Sequence, residues 1–255
     1  MGKKMQTIIN GIDIIKSFGE GEEKNTVLNH VNIQVQSGQF VAIMGPSGSG
    51  KSTLLYAISG MDKVDSGKIS VNGRPIDQMT EKQLAAMRRE ELGFVFQQPT
   101  LLKNLSLIDN IILPSLKGKK QTAQQEQRAN SLMKKVDIQE LRERKITQVS
   151  GGQLQRAGIC RALMSHPSII FGDEPTGALN SKAAQEIMNI LLKINEEGTT
   201  IVIVTHDMKV AAQSEQVFFM EDGQITDTLY LGGYNGHSIE ARMEKINEKV
   251  LAVEL

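Results

Sequence analysis

The run Gly45-Pro46-Ser47-Gly48-Ser49-Gly50-Lys51-Ser52 constrains this chain more than any other segment of its length. It follows the apolar stretch 40–44 and leads into a helix-like stretch beginning at Lys51, so it reads as a strand, a glycine-rich turn and a helix start. In that setting the glycines let successive backbone N–H groups curl around phosphate oxygens, and the helix N-terminus adds partial positive charge. Lys51 is placed to reach the β and γ phosphates, Ser52 to ligate magnesium, and Thr53 to join the phosphate-binding set with 45–52. The ligand expected from this loop is a nucleoside triphosphate with Mg2+.

The rest of the chain predicts a matching scaffold. Strands are expected at 8–15, 27–35, 40–44 and 68–71, the last followed by an Asn72-Gly73 turn, with a helix at 51–60. A further strand is expected at 93–96. From 121 to 164 the pattern turns helical, with Ala129, Leu132, Met133 and Val136 at helix spacing. A strand at 168–171, a helix at 182–195 ending near Gly198 and a β-branched strand at 199–205 complete an alternation that implies a parallel sheet covered by helices. The segment 238–255 sets Ile239, Met243, Ile246, Val250 and Val253 along one face of an amphipathic helix. That face packs on its own domain, on a second copy or on a membrane partner.

Two carboxylates, Asp173 and Glu174, follow the apolar residues 169–171 at the end of an expected strand. Two carboxylates there imply two tasks: Asp173 holds magnesium, and Glu174 polarises an attacking water. Ser150-Gly151-Gly152-Gln153 begins a helix and offers a second anion cradle, although the chain already has one. The order of these elements, closed by His206 after the strand 199–205, resembles that of ABC ATPases, with Val149-Ser150-Gly151-Gly152-Gln153 similar to the family signature.

The resemblance covers residues 5–228 and implies an α/β, P-loop NTPase fold: a RecA-like core with an antiparallel β-subdomain and a helical subdomain. It implies an ATPase domain at 5–228 with a helical insert at about 98–165, and a C-terminal extension at 229–255. It makes Glu174, His206 and Gln97 catalytic, and Ser52, Gln97 and Asp173 the metal set. Phe18 takes the place of the aromatic that stacks on adenine, where the family more often has tyrosine. Ser150, Gly151, Gly152 and Gln153 serve the ATP of a second copy, so the working form is a homodimer. Two positions depart from the pattern: Val149 replaces a leucine, and Asn180 replaces an aspartate that in the family helps couple the two sites.

Composition narrows the partners. Lys plus Arg equals Asp plus Glu, 29 each, which leaves no overall basic field to hold nucleic acid. No apolar stretch reaches the length of a membrane span, and residues 1–10 lack a signal-peptide pattern, so the expected location is cytoplasmic and peripheral on the inner face of the membrane. The single cysteine, Cys160, is expected to be a buried hydrophobe. The stretches 87–114 and 173–182 resemble the branch holding macrolide exporters, lipoprotein-release ATPases and bacitracin- or lantibiotic-resistance transporters, and the wording of 177–182 with the tail after Gly223 most resembles the last of these, antimicrobial-peptide resistance. That resemblance implies an integral membrane permease as partner, with a sensor histidine kinase reached through it. The competing expectation is an ATPase of the same branch that drives lipoprotein release or cell-division signalling. The leucines after Gln97, Leu101 and Leu102 first, are candidates for either a docking groove or the insert's own core.

Overall fold

The computed structural model describes residues 6–116 and 122–253. The expected limits at 5, 121 and 254–255, and the side chain of Val253, lie outside what is described. The chain divides into two compact units: one formed by the residues up to Leu84 together with those from Thr200 onward, the other running Ala85–Thr199.

In the first unit, β1 (Thr7–Phe18) pairs antiparallel with β2 (Asn25–Gln36) and with β4 (Ser66–Val71). β5 (Arg74–Pro75) follows β4 across the Asn72-Gly73 turn, giving an antiparallel sheet of order β2-β1-β4-β5. Alternation in β2 carries this sheet: Leu28, Val31, Ile33 and Val35 are buried while residues between them face water. The same unit holds β3 (Phe40–Met44), which lies parallel between β8 (Thr200–Val204) and β9 (Gln216–Glu221). β3 and β8 are buried at every position, as apolar runs in a parallel sheet must be. Helix α1 (Lys51–Ile58) packs against β2, β4 and β8. β10 (Gln224–Tyr230) adds antiparallel to β9 as an edge strand, with a register shift between Ile225 and Asp227. The one-turn helix α7 (Met208–Ala211) and the C-terminal α8 (Ile239–Val253) pack on each other, and α8 also lies against β10. The amphipathic face therefore packs on its own unit. Ile246 is its fully buried residue, and Lys249 pairs with Asp227 of β10 at 2.7 Å.

The second unit holds the parallel pair β6 (Leu92–Phe96) and β7 (Ile169–Asp173), with Phe94 stacked on Phe171. Around it lie α3 (Leu107–Ile112), α4 (Ala123–Lys135), α5 (Gly151–Leu163) and α6 (Ser181–Glu196), while α2 (Glu81–Glu91) contains the division between units. α3, α4 and α5 pack together. Arg128 of α4 donates to the Leu163 and Met164 carbonyls and so caps the end of α5. Cys160 is fully buried on α5, and burial pushes its thiol up to about 12, which leaves it inert near neutral pH.

Candidate functional site

Because β3 is buried from end to end and stops at Met44, the loop that follows is fixed at its root. Gly45 has φ 155°, and a Cβ built on it would lie 1.9 Å from the Met220 carbonyl oxygen, so only glycine lets the loop pass that close to β9. Pro46, Ser47 and Gly48 are exposed at its tip. Helices α3, α4, α5, α6 and α7 are each capped by a side chain, from Ser106, Thr122, Ser150, Asn180 and Asp207. α1 instead follows Gly50 in a left-handed conformation and has no side-chain cap. The start of α1 therefore has no side-chain acceptor of its own, and the helix dipole there favours negative charge.

Two further features fit the same ligand. The Ser49 hydroxyl is buried with no hydrogen-bond partner among the described residues. Lys51 bends back so that its ammonium donates to the Pro46 carbonyl at 2.6 Å. An uncapped helix start, an unsatisfied hydroxyl and an ammonium held over the loop suit an anion with several oxygens, such as a phosphate chain.

Phe18 closes β1 with its ring 47% exposed, and the Lys16 ammonium lies 4.9 Å from the ring centroid. His206 follows β8 on the surface. Its neighbours fix the backbone there: Thr205 is buried and its hydroxyl accepts from the Asp207 amide at 3.0 Å, while Asp207 caps α7. His206 lines a cavity of about 260 Å3 together with Gly45, Pro46, Met208, Phe219 and Val250.

The second unit carries the other constellation. β7 delivers Asp173 as its last residue and Glu174 immediately beyond. Glu174 has φ 46°, a left-handed backbone that costs about 1–3 kcal/mol for a non-glycine residue. The turn that holds it there is closed by the Gly177 amide donating to the Glu174 carbonyl at 3.0 Å. A Cβ on Gly177 would sit 2.9 Å from Gln97 Nε2 and 3.0 Å from Glu174 Oε2, so the glutamine amide and the carboxylate converge over this glycine.

Sequence reasoning missed the residue that ties these groups together. Gln155 of α5 is buried, and its amide nitrogen donates to the Phe96 carbonyl at 2.9 Å and to the Pro175 carbonyl at 2.7 Å. It thereby holds the residue before Gln97 and the residue after Glu174. The available signal was a glutamine on the buried stripe of a helix, in register with Ile159 and Ala162.

At the start of α5, Ser150 and Gln153 form a capping box: the Ser150 hydroxyl accepts from the Gln153 amide at 3.3 Å, and Gln153 Oε1 accepts from the Ser150 amide at 2.8 Å. Accepting that bond leaves the hydroxyl proton free to be donated elsewhere. Gly151 and Gly152 face Leu179 and Ala183, at 3.6 Å and 3.3 Å from their Cβ positions. Asn180 caps α6 by accepting from the Ala183 amide at 2.9 Å, a task asparagine and aspartate do about equally well, so this departure from the family pattern keeps the cap.

Among the described residues, no group of three or more His, Cys, Asp and Glu is placed to hold a metal ion. A magnesium ion held by Ser52 or by Asp173 would take most of its shell from phosphate oxygens and water, as is usual for this ion. No helix among the described residues is long and apolar enough to cross a membrane.

The family model described as ABC transporter matches residues 28–177. The bacitracin export ATP-binding protein BceA of Halalkalibacterium halodurans is 41% identical over 226 residues, covering 88% of this chain and 89% of that protein. The macrolide export ATP-binding/permease protein MacB of Vibrio parahaemolyticus is 41% identical over 218 residues, 85% of this chain but 33% of that protein. The chain thus spans about a third of the length of such macrolide relatives. Among solved structures, the dimeric ATP-binding cassette MJ0796 in a post-hydrolysis state bound to ADP and phosphate superposes with a TM-score of 0.81 at 37% identity, covering 89% of this chain and 100% of that one. A nucleotide-free ATP-binding cassette of an ABC transporter gives a TM-score of 0.83 at 25% identity over 98% of this chain and 99% of that one. The expected fold class, a P-loop ATPase core with antiparallel and helical subdomains, is the fold of these cassettes.

Proposed function

From the premise that this chain belongs to the ABC transporter family, we propose that it is the ATP-binding and ATP-hydrolysing subunit of an exporter, driving an integral membrane permease that confers resistance to bacitracin-type peptides. The observation that carries the ATP reading is the uncapped start of α1 beside the buried, unpartnered Ser49 hydroxyl. The peptide assignment is supported by the bacitracin relative, which matches over nearly its whole length. The subunit then works as a peripheral protein on the inner face of the membrane, with a sensor histidine kinase reached through the permease.

In this reading Phe18 stacks on adenine, the amides of 45–53 and the Lys51 ammonium hold the phosphates, and Ser52, Asp173 and Gln97 hold magnesium. Held there, the ion would supply positive charge against the phosphate oxygens. Glu174 orients the attacking water and accepts its proton, Gln97 positions the same water, and His206 donates to the γ-phosphate. Ser150, Gly151, Gly152 and Gln153 donate to the phosphates of a second copy, so two chains enclose two ATP molecules.

The test is Glu174→Gln. The amide keeps the shape of the side chain and loses the base, so hydrolysis should fall by about 100-fold or more while ATP still binds. Light scattering after size exclusion with magnesium-ATP should show a stable dimer for this variant and a monomer for Lys51→Ala. A Glu174→Gln protein that binds ATP and stays monomeric would sink the sandwich reading.

A further inference from the structure

His206 stands at the head of a short segment. The helix that follows it, α7, is one turn long, far below the length at which a helix is stable alone. Asp207 satisfies the N-terminal end, its carboxylate accepting from Lys209 at 2.7 Å and from Val210 at 3.4 Å. At the other end Gln213 Nε2 donates to the Lys209 carbonyl at 3.0 Å and the Ser214 hydroxyl to the Ala211 carbonyl at 2.7 Å, and this stretch beyond α7 is held in turn by one residue of the C-terminal helix. Arg242 donates through Nε to the Ala212 carbonyl at 2.6 Å and through a terminal nitrogen to the Ser214 carbonyl at 2.6 Å. The same guanidinium donates to the Leu231 and Gly232 carbonyls at 3.0 Å and 2.9 Å. Its partners among the described residues are carbonyls and the Tyr234 ring, 5.4 Å from the guanidinium carbon, rather than a carboxylate. A rigid, planar fork with five donors is the one side chain able to gather this many carbonyls while placing positive charge at a helix C-terminus.

A second contact runs between the same two elements. Val250, two turns further along α8, lines the cavity that His206, Met208 and Pro46 also line. One helix therefore holds the stretch after α7 through Arg242 and lines the cavity beside His206 through Val250.

We propose that Arg242 is a positioning residue for His206, and that α8 forms part of the support that sets the histidine against the phosphate loop. The proposal rests on His206 acting in ATP hydrolysis as described above. Arg242 touches no reacting atom; it fixes 212 and 214, the residues that close the far end of α7, and so limits where the near end can go.

The test is a double-mutant cycle on the full chain, with kcat and KM for magnesium-ATP measured beside the equilibrium Kd for ATP. Arg242→Gln should lower kcat by about tenfold while KM and Kd change by less than about twofold. Arg242→Lys, which keeps a cation able to reach some of the carbonyls, should recover part of that loss. On a His206→Ala background, Arg242→Gln should have no further effect on kcat, because the residue it positions is gone. Should Arg242→Gln fail to fold, Arg242→Lys and Val250→Ala carry the same cycle with smaller losses in the same direction. Equal losses on both backgrounds, a fall in ATP affinity with kcat unchanged, or wild-type activity in Arg242→Gln would each overturn the proposal. If His206→Ala itself keeps wild-type kcat, the role assigned to His206 fails first and this inference fails with it, an outcome distinct from additivity.

Discussion

At Gly177 the missing side chain is what allows Gln97 and Glu174 to occupy one small volume. Both atoms that a Cβ would meet are the ends of side chains, so Gly177→Ala should leave the fold intact and displace the two groups instead. Melting temperature should move by no more than a few degrees while kcat falls by about tenfold or more, since displacements of this size degrade positioning before they degrade packing. Unchanged kcat would show that the convergence is idle. The residues proposed to meet a ligand could be named from sequence because their chemistry is spelled locally: a glycine-rich run after a strand, two carboxylates at a strand end, a histidine after another. Gln155 and Arg242 were not, because their partners lie at 96, 175, 212, 214, 231 and 232, and no local spacing announces a bond to a distant carbonyl.

At the scale of elements, the strands expected from the sequence fall within a few residues of their expected places and β3 on its expected residues, while β9, β10, α2 and α7 were not foreseen. The connection between Gln97 and α3 is where the sequence left two readings open, and the structure divides them. Leu101 is buried at 8% exposure and Leu102 is open at 52%. Their separation is the work of Asn110, whose buried amide accepts from the Leu102 N–H at 2.6 Å and donates to the Leu102 and Ser106 carbonyls, folding the loop around itself. Leu101 therefore belongs to the core and not to a groove. Leu101→Glu should destabilise the protein by about 3 kcal/mol or more, because it buries a carboxylate without a partner. Leu102→Glu should leave stability and basal ATPase near wild type; loss of its recovery with the permease, in affinity purification from membranes, would mark it as a docking residue. Equal melting temperatures for the two variants would contradict this division.

Over the whole molecule, the residues from Thr200 onward fold with those up to Leu84 into one unit. That return of the chain depends on strand pairing between residues far apart in sequence, of β3 with β8 and β9, which periodicity does not encode. Within this unit the tail is pinned by Lys249 and Asp227. The Lys249 hydrogen bond first, and the Thr228 amide second, hold the Asp227 carboxyl below its ordinary value of 3.8. A carboxylate whose pKa is depressed on folding stabilises above its unfolded value and loses that contribution as pH falls through its folded one. The stability difference between wild type and Asp227→Asn should therefore be constant from about pH 7 to pH 5 and close as acid takes the solution below the ordinary carboxylate value; a difference that persists at low pH would mean the carboxylate charge is not involved. Added salt should narrow the gap at neutral pH, because the pair is partly exposed. The register shift in β10 has a consequence of another kind. An edge strand offers an unpaired row of backbone groups to any other extended chain. A bulge between Ile225 and Asp227, with a carboxylate beside it, spoils the regular spacing a foreign strand would need and so guards this edge against open-ended sheet growth.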